Sequence, residues 1–287
     1  GAGLSGNPFG NVTAGSVVFI SGSEMEQVSG ANPFAIAAGV VTFQTGSLYK
    51  ITGATFTPSF SGRTYANVQI DAVGYSVSST GGSPLSIDDL TITNGTQNLN
   101  LTGGISIKGN ISVAAGATLG FSPATANTLF FNGTASQSIN NLGTISFNGN
   151  LNVNMNNATG LTLNTPITLS GNLTFTAGVI YTNTTDLLTM TAGSSVSGAS
   201  DASFVDGPVS KIGNTNFTFP VGKTNAGPSG SVNGIAAVAI SNFVGGLATD
   251  QYTAEYIRGN PNVLAPKALG IHHVSKCDYW TLNQEPG

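Results

Sequence analysis

"ISIKGNISV", residues 105–113, returns almost unchanged as "ISFNGNLNV" at 145–153 and as "ITLSGNLTF" at 167–175. In each copy apolar side chains alternate on both sides of a Gly-Asn pair. They are Ile105, Ile107, Ile111 and Val113, then Ile145, Phe147, Leu151 and Val153, then Ile167, Leu169, Leu173 and Phe175. Alternation with period two is what a strand with one buried face requires. Gly-Asn supplies residues that tolerate a sharp bend or a positive φ. The phrase therefore reads as strand, bend, strand.

The copies start 40 and then 22 residues apart, and "LFFNGTASQ" from Leu129 is a degraded copy inside the longer gap, so the gap reads as two coils. Nearer the start, "VVFISGS" at Val17 and "VTFQTGS" at Val41 align at a shift of 24, and "NPF" occurs at Asn7 and Asn32. Periods of 20 to 24 residues fit the coil of a parallel β-solenoid, in which each coil buries its apolar edge only by stacking on the next. The Leu and Asn spacing of a leucine-rich repeat is missing. Helical repeats need helix formers at 3.6 spacing, whereas this region is rich in Thr, Asn, Ser and Gly. The expected fold is all-β: a parallel β-helix (β-solenoid, right-handed) over 1–203, then a β-sandwich-like domain over 204–287, truncated at its end. "GIAAVAIS", "QYTAEYI" and "DYWTL" are strand candidates in that second part.

Composition narrows the function classes. Hydrophobic residues make up 40% of the 287, enough for a core, while charged residues make up 7%, against roughly 25% in an ordinary globular protein. A net charge of −4 offers no basic field for a nucleic-acid backbone. No apolar run reaches the roughly 18 residues of a membrane-spanning helix. The chain opens at Gly1 without an initiator Met or an apolar leader and is expected to be a mature or excised segment. Cys277 is the single cysteine, so no internal disulfide is available.

From Gly109 to Thr185 there is no Asp, Glu, Lys, Arg or His. General acid–base chemistry and recognition of anionic sugars both need ionisable groups, so no catalytic residue, metal or cofactor is expected on the rod. Asp88 and Asp89 are adjacent; neighbours on a strand point to opposite faces, so they read as turn or coil-start residues, with a cation site or catalytic pair as the alternative. Asp201 and Asp206 read as turn residues, with calcium as the alternative. His272, His273, Cys277 and Asp278 lie close together but lack the spacing of a zinc site or a nucleophile motif, and read as structural. The asparagines of Asn-x-Ser/Thr triplets at Asn94, Asn110, Asn132 and Asn172 are expected to bond laterally along the stack, with glycosylation as the alternative. Asn148, Asn150, Asn152, Asn154 and Asn156 alternate, which would place their amides on one outer face. They read as a solvated or mutually bonded ladder, or as a flat amide surface for a glycan, mineral or protein, and are the candidate binding residues.

At "VVTFQTGSLYK" (40–50), "PSFSGRTYANVQID" (58–71), "FVDGPVSKIGNTNFTFPVGK" (204–223) and "VSKCDYWTL" (274–282) the chain resembles large secreted and cell-surface proteins of Bacteroidota exported by the type IX secretion system. Asp278 stands where that resemblance leads one to expect Glu. The resemblance implies a secreted or cell-surface location and passage through the type IX machinery as a partner in transit. The expected function is then a non-enzymatic structural or adhesive surface protein: a stalk, sheath or filament component. Its other expected partners are a polysaccharide or cell-surface ligand and further copies of itself. The alternatives are a carbohydrate-active β-helix enzyme using Asp71, Asp88, Asp89 and Arg63, and a passive secretion substrate captured with its export machinery.

Overall fold

The computed structural model describes Phe9 and residues 13–30, 32–34, 41–53, 55–224, 234–241, 243, 245–261 and 277–285. Among them the regular structure is entirely β, with no helix, and stacked parallel coils form a β-solenoid of about 8 turns. Each complete coil has three sides. The coil Ile105–Ile107, Ile111–Val113, Thr118–Phe121 lies under Asn127–Phe131, Gln137–Asn141, Thr144–Phe147, and that under Leu151–Asn156, Leu161–Asn164, Ile167–Leu169. Before them, Thr64–Gly81 and Leu85–Leu101 pair side by side, and Leu85–Leu101 supplies the partner strand on all three sides of the coil that follows.

Alternation becomes columns of like residues inside the bore. On the first side Leu85, Ile105, Leu129, Val153, Leu173 and Val196 lie in register; on the third, Leu99, Phe121, Phe147, Leu169 and Met190. Leu99, Ile105, Phe121, Leu129, Leu173 and Met190 are 0% exposed. Burying such a side chain contributes about 1.5–3 kcal/mol, so the stack is held mainly by this dry column. Phe121 and Phe147 add an offset stack with centroids 5.3 Å apart. The first coils are filled by aromatics instead, with Phe19 stacked on Phe43 at 4.7 Å and Tyr49 on Tyr65 at 5.0 Å.

The early repeats stack as their alignment requires: Val17 pairs with Val41, Phe19 with Phe43, and Phe9 bridges Phe34. The Gly-Asn phrase is distributed differently. Its first copy turns from the first side to the second, and "LFFNGTASQ" is the segment that stacks on it, Leu129 on Ile105 and Phe131 on Ile107. The other two copies turn from the third side to the first. Ile145 registers with Leu119 rather than with Ile105, so the 40-residue shift is not two whole coils. Leu151 and Leu173 both point inward, but Leu173 lies on Val153, because the corner of the middle copy is longer.

The coil also runs past 203. Val205 pairs in parallel with Ile180, Val209 with Leu188 and Val221 with Val205. The texture of the sequence changes there because loops lengthen and charges return, while the interior stays filled by Phe204, Val205, Val209, Phe219 and Val221, all 0% exposed. The ladder then turns antiparallel. Gln251–Arg258 pairs with Val209–Ile212, Asp278–Glu285 pairs with Gln251–Arg258, and Phe217–Phe219 pairs with Val238–Ile240. The boundary drawn at 203 therefore falls inside the stack, and these antiparallel strands lie over its last coil.

Candidate functional site

The corners explain the repeated Gly-Asn. A Cβ on Gly109 would lie 2.2 Å from Asp89 Oδ1, and one on Gly171 would lie 1.9 Å from the Leu151 carbonyl oxygen. No side chain fits between coils there. The carboxylate or amide oxygen below each glycine accepts the next backbone N–H: Asn110 N donates to Asp89 Oδ1 at 2.6 Å and Asn172 N to Asn152 Oδ1 at 2.9 Å. The asparagines repeat the move upward. Ser138 N donates to Asn110 Oδ1 at 2.9 Å, and Ser195 N to Asn172 Oδ1 at 3.1 Å, each with the serine hydroxyl as a second donor. Corner N–H groups that no strand partner reaches are thus satisfied by side chains of the coil beneath. Asn94 donates to Asp71 Oδ1 and Asn132 to Ser106 Oγ, so all four triplet asparagines bond laterally.

The expected five-amide stripe is split. Asn148 and Asn150 occupy a corner around Gly149, whose φ of +62° breaks the alternation, and their Nδ2 atoms donate down to Ser122 Oγ and Ala124 O. Asn152, Asn154 and Asn156 remain on the outside of Leu151–Asn156. Asn152 and Asn154 are oriented through their carbonyl oxygens, which accept from Asn172 N and from Thr176 Oγ1.

Beside them lies a residue that sequence reading missed. Phe130 registers with Asn154 and Ser106, so it stands in the outward column Ser86, Ser106, Phe130, Asn154, Thr174, Ser197. It is half-buried, and its Cε2 atom would lie 3.1 Å from a Cβ built on Gly104. The signal was present in the doublet Phe130-Phe131: adjacent strand residues face opposite ways, and Phe131 is 1% exposed inside the bore.

The charged candidates are dispersed. Asp88 and Asp89 sit between the inward residues Ile87 and Leu90, so the chain turns a corner there and both point outward, contrary to strict alternation. Partial burial raises the Asp88 carboxyl above the ordinary carboxylate range, with Lys108 opposing and Asp89 adding to the rise. Asp71 is 3.8 Å from Lys50 Nζ on the outer surface. Arg63 points the other way, 6% exposed with its guanidinium 5.3 Å from the Phe34 ring centroid. The structure therefore does not gather the residues of the enzyme reading.

Asp201 and Asp206 fasten the end of the rod. Asp201 Oδ1 accepts from Ile235 N, and Asp206 accepts from Thr224 and is 2.7 Å from Lys223 Nζ. His272 and His273 lie outside the described residues. Cys277 is exposed, and Asp278 accepts a hydrogen bond from the Tyr256 hydroxyl at 3.0 Å. Among the described residues no group of three His, Cys, Asp or Glu side chains could hold a metal ion.

No protein family, no curated protein and no solved structure matches the chain.

Proposed function

We propose that the chain is a non-enzymatic structural or adhesive rod, a stalk, sheath or filament segment that spaces and displays an uncharged surface outside the cell. The observation that carries this reading is the outer surface of the coils between Gly109 and Thr185, which has no Asp, Glu, Lys, Arg or His and whose amides and hydroxyls hydrogen-bond from coil to coil. Such a surface offers hydrogen bonds and rigidity but no proton donor or acceptor of the kind hydrolysis needs. Secretion through the type IX machinery, implied by the resemblance at 40–50, 58–71, 204–223 and 274–282, belongs to the same proposal.

The test is incubation with a panel of polysaccharides, with reducing ends measured alongside retention on cell-surface fractions. No sugar release is expected, and retention should vary little between low and high salt because no exposed charge pair is being screened. Release of sugar that disappears in an Asp88→Asn, Asp89→Asn double variant would overturn the reading in favour of the enzyme.

A further inference from the structure

The outer first side of the rod carries an aromatic ring where its column otherwise carries hydroxyls and amides. An outward Phe at mid-strand stands out among hydroxyls and amides, and Phe130 leaves part of its ring at the surface. Phe130 is nevertheless held in a defined place, with its Cδ2–Cε2 edge over Gly104, where any larger residue would crowd it. In the next coil Asn154 lies in register with it and Asn152 in register with Thr128. Both asparagines spend their carbonyl oxygens on the coil above, at 3.1 Å to Thr176 Oγ1 and 2.9 Å from Asn172 N. Their Nδ2 groups make no hydrogen bond within the described residues, so the donor ends are the ones left for a ligand. Thr174 continues the column beyond Asn154.

We propose that this strip, Phe130 flanked by Thr128, Asn152, Asn154 and Thr174, is a binding site for a neutral, extended polysaccharide. The inference rests on the reading of the chain as an adhesive rod and names the ligand class and the face. The C–H face of a pyranose ring is apolar with slightly positive hydrogens and complements the negative face of an aromatic ring. The hydroxyls of the same sugar and of its neighbour along the chain accept from oriented amide N–H groups. Asn152 and Asn154 stand two residues apart on one strand, so their donors lie about 7 Å apart across the rod, with the Thr128 and Thr174 hydroxyls about 4.8 Å away in the coils on either side, an extended array that suits a polymer better than a single small molecule. An anionic polymer is disfavoured, because the strip has no cation to pair with it and ionised groups give up hydration on contact. A protein partner would need a larger apolar patch than one half-buried ring.

The experiment uses the full chain and three variants, Phe130→Ser, Phe130→Tyr and Asn154→Asp, each checked for unchanged circular dichroism and melting temperature. Retention is measured on insoluble cellulose and chitin and by affinity electrophoresis in mixed-linkage β-glucan, with polygalacturonate as the anionic control. Wild type should be retained on at least one neutral polymer and not on polygalacturonate, with little change on adding salt. Phe130→Ser should lose at least tenfold in affinity and Phe130→Tyr should keep it. Asn154→Asp, which keeps the oxygen that accepts from Thr176 but loses the amide donor, should weaken binding several-fold. Retention of wild type on none of the neutral polymers, or equal retention of Phe130→Ser, overturns the site. If Phe130→Ser still binds cell-surface fractions as wild type does, the site fails while the adhesive rod stands. Sugar release sinks the rod reading itself.

Discussion

Lys211 ends a column that is apolar in the five coils beneath it: Leu99, Phe121, Phe147, Leu169, Met190, then Lys211 under Tyr252. It is 0% exposed; its ammonium donates to the Thr191 carbonyl and lies 5.4 Å from the Phe217 ring centroid. Burial lowers its pKa below the ordinary lysine value. Lys211→Met would continue the type of residue beneath it and removes the desolvation cost of the buried ammonium, giving up only its hydrogen bond to the Thr191 carbonyl. The melting temperature at neutral pH should rise, and a fall of several degrees would refute this. The pH dependence has a definite sign. Below the folded-state pKa the lysine is protonated in both states and the native state bears the full desolvation. As pH rises from there toward the unfolded value near 10.5, the unfolded chain holds more protons and wild type gains stability relative to the variant. Buried tyrosines such as Tyr65 and Tyr75 act the opposite way at high pH, but equally in both proteins, so the difference curve isolates Lys211.

A strand–corner–strand unit is where the glycines divide into two kinds. Gly149 adopts φ +62° and a Cβ there would meet only the Pro123 carbonyl oxygen, at an ordinary 3.8 Å, whereas Gly171 needs no left-handed backbone and is excluded from bearing a side chain by the Leu151 carbonyl. Gly→Ala reduces unfolded-state entropy similarly at both positions, by about 0.4–1 kcal/mol, so the difference between the two variants reports the native state. Gly149→Ala should lose roughly 1–2 kcal/mol to left-handed strain. Gly171→Ala forces a Cβ into backbone and should lose more, at or beyond the roughly 1–3 kcal/mol of an overpacked interior. Urea midpoints rank them, and a lower midpoint for Gly149→Ala would overturn the assignment of the corners. The Gly-Asn phrase made bends legible. It did not show that Gly109 and Gly171 are selected by crowding from the coil below, since that neighbour is 20 or more residues away in the chain.

Across the molecule, a stack of parallel strands ends in an open edge, and open edges invite association. Here Gln251–Arg258 pairs antiparallel with Val209–Ile212 of the coil and Asp278–Glu285 pairs in turn with Gln251–Arg258, while Tyr252, Ala254 and Tyr256 cover the core at that end. A chain shortened to end at Thr224 removes these strands and bares the Val209–Ile212 edge. With few charges to repel neighbouring copies, it should sediment as larger species than the intact chain at equal concentration. Identical sedimentation of the two would show that the antiparallel strands are not what limits association.

Period-two alternation and a repeat of 20 to 24 residues were enough to read stacked parallel coils, because inward and outward directions along a strand follow from backbone geometry within a few residues. The charge-free stretch from Gly109 to Thr185 was equally plain. Which corner each phrase occupies was not, because every corner of a three-sided coil asks for the same local pattern, and only contacts between coils set the register of Leu173 on Val153. Those contacts divided the asparagine stripe at Gly149, turned Arg63 into the aromatic bore and carried the coil past 203. They also brought Phe130 beside Asn154, a juxtaposition of residues 24 apart that arises only when one coil lies on another.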